Sequence, residues 1–276
     1  MLNFDTINYW SEIKLDIIKD YASAYSKILT GQKFIREHAY VDAFAGAGVH
    51  LSKETGKLIP GSPLNALEID PPFKKLYLID LDKERYQSLK QLTKDKTNVF
   101  LFEGDCNEIL LKDVFPKISY KDFRRGLCLL DPYGLHLNWD VISKAGQMES
   151  LEIFLNFPVM DMNQNVLWHN PEKVEPSQSA RMDAFWGSDS WKNVVYETEG
   201  NLFGWAEKVP DSNSAIVNAF KKRLKEVAGF SYVPEPIPMR NSKGATVYYL
   251  FFASQNPVGA RIVEDILSKY RDRGKS

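Results

Sequence analysis

Cysteine is scarce: the 276 residues contain two, Cys106 and Cys128. Two thiols far apart in sequence cannot build the disulfide framework of a small secreted domain, and no zinc-type Cys/His spacing accompanies them. Reduced thiols in a cytoplasmic setting, and no metal site, are therefore expected. Long apolar runs are missing as well. None reaches the ~18 residues that a bilayer-spanning helix needs, so no membrane association is expected. Met1 to Asp5 lacks a charged segment leading into an apolar one, so no signal peptide is expected either. Charge of one sign is not in excess, with 35 Lys and Arg against 36 Asp and Glu. That excludes a global basic field for nucleic acid and leaves only local patches. Internal repeats and low-complexity tracts are absent.

The composition is that of an ordinary globular chain, 44 % apolar and 26 % charged, long enough for one large α/β domain or two small ones. Trp10, Ile13, Ile17, Tyr21, Tyr25 and Ile28 recur at helical spacing before Gly31 and predict an N-terminal helix. Apolar runs predict strands over His38 to Phe44, Lys75 to Asp80, Asn98 to Phe102, Gly126 to Leu130 and Leu151 to Phe157. Helices are predicted between them, one from Ser62 with Pro63 in its first turn and one carrying Tyr86, Leu89 and Leu92. Continuous apolar strands alternating with helices imply a parallel sheet covered on both faces. The tail differs: a helix over Ser214 to Val227, strands over Ser231 to Pro238 and Thr246 to Ala253 joined as a hairpin, and a helix from about Pro257 to Tyr270. Pro234, Pro236 and Pro238 make the first of these an edge or irregular strand. The chain reads as one domain over 1–276, with an N-terminal helix (1–31), a ligand-binding core (38–157), an irregular or helical insertion (158–213) and a C-terminal helix, hairpin and helix (214–276).

Four strand ends carry chemistry. Tyr40 to Gly48 ends a strand in an acid, Asp42, then Phe44, then two glycines, Gly46 and Gly48, which allow a tight turn and close approach of a ligand. A dinucleotide site wants a third glycine where Leu51 stands, and a pyrophosphate gains nothing from Asp42. An ammonium group does. Asp80 ends the second strand, where an acid accepts from ribose hydroxyls, though it lies roughly thirty residues after the glycines rather than the usual ~20. Val49 to Gly61 accounts for the excess as an inserted loop, and Asp82 suits a helix cap. Glu103 to Cys106 follows the third strand; Asp105 there can accept from an adenine amine, or simply belong to a polar loop. Leu129 to Gly134 ends the fourth strand. The Asp131 carboxylate and the Pro132 carbonyl can take the two protons of an amine, and Tyr133 offers a face to a base. Asn156, Asp161 and Asn163 follow the fifth strand and suit either a base-reading wall or an ordinary loop. His169 carries no partner pattern.

On these residues the chain resembles the three-Cys-motif partner family of bacterial methyltransferase-like proteins. Lys14 and Tyr21, Val41 to Gly48, Gly61-Ser62-Pro63-Leu64, Leu130 to Gly134 and Tyr249 to Ser254 carry the resemblance. It covers most of the chain and fits least over Trp168 to Gly204. It implies a Rossmann-like class I methyltransferase fold: an α/β domain with a mostly parallel seven-stranded sheet, a C-terminal antiparallel hairpin and an extra N-terminal helix. It also implies S-adenosylmethionine as cofactor, Lys14 among its contacts, and a protein partner bearing three cysteines. The Asp-Pro-Tyr-Gly run is similar to that of transfer-RNA guanine N-methyltransferases. DNA amino-methyltransferases commonly show Asp-Pro-Pro-Tyr, and this chain has a single proline there.

Three functions remain open on the sequence. The first is methyl transfer to an amino nitrogen, on a nucleic-acid base of RNA or DNA. Local basic clusters support it: Arg124 and Arg125, Lys221 to Arg223 with Lys225, and Lys269 through Lys275. The second is a non-catalytic S-adenosylmethionine-binding subunit of a three-cysteine partner. The third is an NAD-dependent oxidoreductase, which the missing glycine and the hairpin disfavour. The N-terminal helix either closes over the cofactor pocket or packs on the sheet edge.

Overall fold

Side chains alternate across each central strand, and that alternation builds two hydrophobic layers at once. In the strand Arg124–Leu130, Leu127 and Leu129 enter one layer while Cys128 and Leu130 enter the other, as the two-residue period of a pleated strand requires. The computed structural model describes residues 5–197 and 207–271. In chain order these form β1 (Asp5–Ile7), α1 (Tyr9–Gly31), β2 (Glu37–Asp42), β3 (Val49–Ser52), β4 (Leu58–Pro60), α2 (Ser62–Leu67), β5 (Lys75–Asp80) and α3 (Lys83–Leu92). Then come β6 (Val99–Glu103), α4 (Cys106–Ile109), β7 (Arg124–Leu130), α5 (Trp139–Gln147), β8 (Leu151–Phe157), α6 (Val159–Asn165), α7 (Pro176–Trp186) and α8 (Lys192–Val195). The chain closes with β9 (Tyr196–Glu197), β10 (Glu207–Lys208), α9 (Ser212–Glu226), β11 (Ile237–Arg240), β12 (Thr246–Ala253) and α10 (Pro257–Tyr270). The far end of the basic run beyond Arg271, and residues 198–206 of the insertion, lie outside the described residues.

Seven strands form one sheet in the order β11-β12-β8-β7-β2-β5-β6. β6, β5, β2, β7 and β8 run parallel, β12 is antiparallel to β8, and β11 is antiparallel to β12. From β2 the chain first builds outward through β5 and β6, then returns to β7 and builds the other way. The switch point therefore falls between β2 and β7, where open α/β sheets bind ligands beyond the carboxyl ends of the strands. Five parallel strands followed by an antiparallel pair define a Rossmann-like, mostly parallel sheet.

Two expectations need correction. Val49 to Gly61 is not a loop: β3 and β4 pair antiparallel, and β1 adds in parallel to β3 as a small second sheet. The strand expected over Ser231 to Pro238 begins only at Ile237. Before it a single bridge, Tyr232 to Ser254, holds the backbone, because prolines at 234 and 236 lack the N–H that a ladder needs. Of the two readings left open for the N-terminal helix, packing is the one seen: α1 lies along the sheet, burying Ile17, Ile18, Tyr21 and Leu29. It is a core element, and Lys14 near its start reaches Asp131, just beyond the carboxyl end of β7. Among the described residues no helix is long and apolar enough to cross a membrane.

Candidate functional site

The turn after β2 is shaped by its glycines and tied by an acid from the next strand. Gly46 (φ +66°) and Gly48 (φ +88°) both take left-handed backbone conformations, which side-chain-bearing residues adopt at a cost. A Cβ on Gly46 would have one neighbour, His50 Cε1 at 3.8 Å, so that residue leaves the site open. A Cβ on Gly48 would lie 3.0 Å from Leu92 and 3.1 Å from Leu89. Gly48 thus lets α3 approach the turn. Asp80, at the end of β5, holds both sides: Oδ2 accepts from the Gly46 N–H at 2.7 Å, and Oδ1 accepts from the Asp82 N–H at 2.8 Å. Burial raises the proton affinity of Asp80 and these two N–H groups oppose the rise. Asp82 caps α3 through the Arg85 N–H.

Asp42 is the unusual group. It is fully buried at the end of β2; Oδ1 accepts weakly from the Phe44 N–H at 3.2 Å, and Oδ2 has no hydrogen-bond partner. Burial pushes its proton affinity up to about 7, partly offset by Ser62, by the Phe44 N–H and by Lys14. The Ser62 hydroxyl is near enough to act on the charge without making a hydrogen bond to Oδ2.

Lys14, 8 % exposed, crosses from α1 and forms an ion pair with Asp131, just beyond β7. Its ammonium also lies 5.4 Å from the centre of the Tyr248 ring. His50, on β3, completes the group. Its Nδ1 is buried without a partner, and burial first, then Lys14, lowers its proton affinity, so the imidazole is neutral at pH 7. The sequence reading missed His50. Its one local signal is that it follows the glycine turn by two residues.

Around Asp131, Pro132 is buried and Tyr133 is 90 % exposed, with no packing partner to explain an aromatic there. Gly134 (φ +61°) faces Arg181 and Asp161, each 3.1 Å from where a Cβ would stand. Asp161 Oδ1 accepts from Asn165, and Oδ2 lies 3.9 Å from Arg181 Nη2. Arg181 comes from α7, inside the insertion, and its Nη2 also lies 3.5 Å from His136 Nε2.

The remaining expected residues divide. Asp105 caps α4, its Oδ1 accepting from the Asn107 N–H and side-chain amide, both at 2.9 Å. Asn107 in turn holds the His136 carbonyl at 3.1 Å and the Asn138 N–H at 2.7 Å, which fastens the loop after β6 to the loop after β7. Asn156 is buried in β8 with Oδ1 unpartnered. Asn163 is consumed within the protein: its amide donates to the Val159 carbonyl and Asn213, and its oxygen accepts from Lys208.

The basic clusters are largely engaged. Arg124 and Arg125 begin β7, at the sheet edge opposite the glycine turn. Lys221 pairs with Glu235 and Lys222 with Glu226. Arg223 donates to the Trp186 carbonyl at 2.7 Å and lies 4.6 Å from the centre of the Trp139 ring. Cys106 and Cys128 are buried free thiols.

No protein-family model matches the chain, and no curated protein matches it. Solved structures with similarity include a Legionella pneumophila protein (13 % identity, 94 % of this chain and 93 % of that one, TM-score 0.48). A Leishmania major SAM-dependent methyltransferase shows 10 % identity over 87 % of this chain and 72 % of that one, TM-score 0.38. Trm5b from Pyrococcus abyssi shows 14 % identity over 85 % of this chain, which spans about half (48 %) of it, TM-score 0.36.

Proposed function

We propose that the chain is an S-adenosylmethionine-dependent methyltransferase that methylates an amino nitrogen on a nucleic-acid base. One observation carries the reading. At the switch point, beside an open left-handed glycine turn, the Asp42 carboxylate keeps a buried oxygen with no partner. A buried lone oxygen of that kind calls for a cation or donor. The pyrophosphate of a dinucleotide would meet it with like charge, whereas the ammonium of S-adenosylmethionine meets it with opposite charge.

The other residues fit that cofactor. Asp80 keeps a free lone-pair direction on each oxygen for ribose hydroxyls. Asp105 keeps Oδ2 for an adenine amine. Lys14, flanked by Asp42 and Asp131, would hold the carboxylate of the methionine moiety. When bound, the cofactor supplies an electrophilic methyl group on a sulfonium. The chain's part is then to position an acceptor. The Asp131 carboxylate and the Pro132 carbonyl take the amine protons and turn its lone pair outward, while Tyr133 stacks on the base. Asn156 and Asp161 border the same edge. No strong base is needed, because the lone pair attacks first and the proton leaves afterwards, so positioning dominates.

The test is transfer of label from methyl-labelled S-adenosylmethionine to RNA or DNA. Asp131→Asn should lose more than about tenfold in rate, ~1.4 kcal/mol of transition-state stabilisation, and keep cofactor binding. Loss of cofactor binding instead would assign Asp131 to the cofactor.

A second reading, the cofactor-binding subunit of a three-cysteine partner, is favoured by the Lys14–Asp131 ion pair: the chain's own ammonium occupies the carboxylate meant for the acceptor. Turnover that appears only with the partner added would select it. Both readings draw on the resemblance to the three-Cys-motif partner family.

A further inference from the structure

A cavity of about 290 Å³ opens at the sheet edge opposite the glycine turn, between the C-terminal half of α1, the starts of β7 and β8, and the start of α10. Nothing in the proposed reaction uses it. Arg125, Tyr25, Gln32 and Asn256 bring polar groups to its lining, and Phe34 and Leu151 bring apolar ones.

Two of these groups are left without the partners they would ordinarily have. Tyr25 is 7 % exposed, and its hydroxyl is buried with no hydrogen-bond partner. Such a group marks a place where a ligand or solvent completes the bond. Arg125 sits over Tyr120, its guanidinium carbon 3.7 Å from the ring centre. Its Nη1 donates to the Arg124 carbonyl at 2.8 Å and to the Tyr120 carbonyl at 3.4 Å. Among the described residues it forms no ion pair.

Neither nearby carboxyl answers this charge. Glu152, part of the lining itself, has both oxygens taken by the Tyr21 and Ser254 hydroxyls, and burial raises its proton affinity. Glu149 stands exposed on the rim. The 14-residue α10 begins at the cavity wall, with Asn256 accepting from the Val258 N–H at 3.0 Å, so its dipole adds positive potential there.

We propose that this cavity is a second ligand site, for a small organic oxyanion: a carboxylate or phosphate ester on a compact apolar body. The Arg125 guanidinium receives the oxyanion, the Tyr25 hydroxyl donates to it, and the apolar walls pack on the body.

Calorimetric titration of the full chain with benzoate and with phenyl phosphate tests the site, with inorganic phosphate as the probe that lacks a body. Saturable binding of benzoate or of phenyl phosphate supports the proposal, and the probe that binds identifies the head group. Arg125→Gln should weaken binding about tenfold or more, as loss of a charge-assisted hydrogen bond does. Tyr25→Phe should weaken it several-fold and Asp80→Ala should leave it unchanged. Saturation by neither probe overturns the site, as does undiminished binding by folded Arg125→Gln. If that variant does not fold, Tyr25→Phe decides, and equal binding there overturns it. Inorganic phosphate binding as tightly as phenyl phosphate overturns the role of the apolar walls.

Discussion

In the free protein the wholly buried Asp42 carboxyl holds its proton up to about 7, against an ordinary value of 3.8. The unfolded chain releases that proton near its ordinary value, so between about 4 and 7 the folded state binds more protons and stability falls as pH rises. A displacement of about three units corresponds to an upper bound of ~4 kcal/mol, fully expressed above pH 7. Asp42→Asn should therefore unfold at higher urea than wild type at pH 8 and lose most of this advantage by pH 5. An ammonium placed against Oδ2 reverses the shift, so S-adenosylmethionine binding at acidic pH must expel the proton. At pH 5.5 only about one site in thirty is ionised and at pH 7 about half, so affinity should rise about tenfold or more between them. The ligand's own amino group stays mostly protonated below its value of ~7.7, which keeps this window clean. Calorimetry at both pH values, in buffers of different ionisation enthalpy, reads the affinity and the proton count together. Asp80 titrates in the same direction through burial, so the control is Asp42→Asn, which should bind weakly and release far less proton. Wild-type binding that is flat across the window, with no proton released, would refute Asp42 as the ammonium's partner.

Three further perturbations separate the site from its scaffold. Lys14→Met should weaken S-adenosylmethionine binding about tenfold, the scale of a charged hydrogen bond. Its cost in stability should lie between the ~1 kcal/mol of exposed ion pairs and the ~3–5 kcal/mol of buried ones, since the two side chains are 10 % and 23 % exposed; unchanged values in both assays would remove Lys14 from the site. Tyr133→Ala should keep unfolding free energy within ~0.5 kcal/mol, the residue being 90 % exposed, yet raise the acceptor KM as a stacking face worth ~1–3 kcal/mol disappears. Gly187→Ala should destabilise by about 2 kcal/mol or more, because its φ is +86° and a Cβ would stand 2.5 Å from Trp139; urea unfolding at the wild-type midpoint would contradict this.

The sheet was legible because each central strand is a largely apolar run, closed by Asp42, Asp80, Glu103 or Asp131 and, after β8, by Pro158, and parallel strands buried on both faces leave that mark locally. Lys75–Asp80 and Leu151–Phe157 were placed to the residue. α5, between β7 and β8, went unread although it is strongly amphipathic, with Val141, Ile142 and Ala145 buried. Its start lies just beyond the Pro132-Tyr133-Gly134 turn.

What escaped depends on contacts between distant segments. Val49–Ser52 is too short to announce itself as a strand, and its parallel partner Asp5–Ile7 lies on the far side of α1. That pairing, together with the antiparallel β4, makes the stretch after Gly48 an ordered strand and sets His50 beside the glycines. Lys14 and Asp131 are 117 residues apart, so the sequence could nominate each but not show that one neutralises the other. The consequence bears on the chemistry. With Asp131 held by Lys14 and Oδ2 of Asp42 left bare, the free protein presents a site for a positive charge at the end of β2 and none at the end of β7. On the proposed function the order of binding follows: the carboxylate of S-adenosylmethionine must first draw Lys14 away before Asp131 can receive an acceptor amine. An acceptor that bound equally well without cofactor would break that order and return Lys14 to a purely structural role.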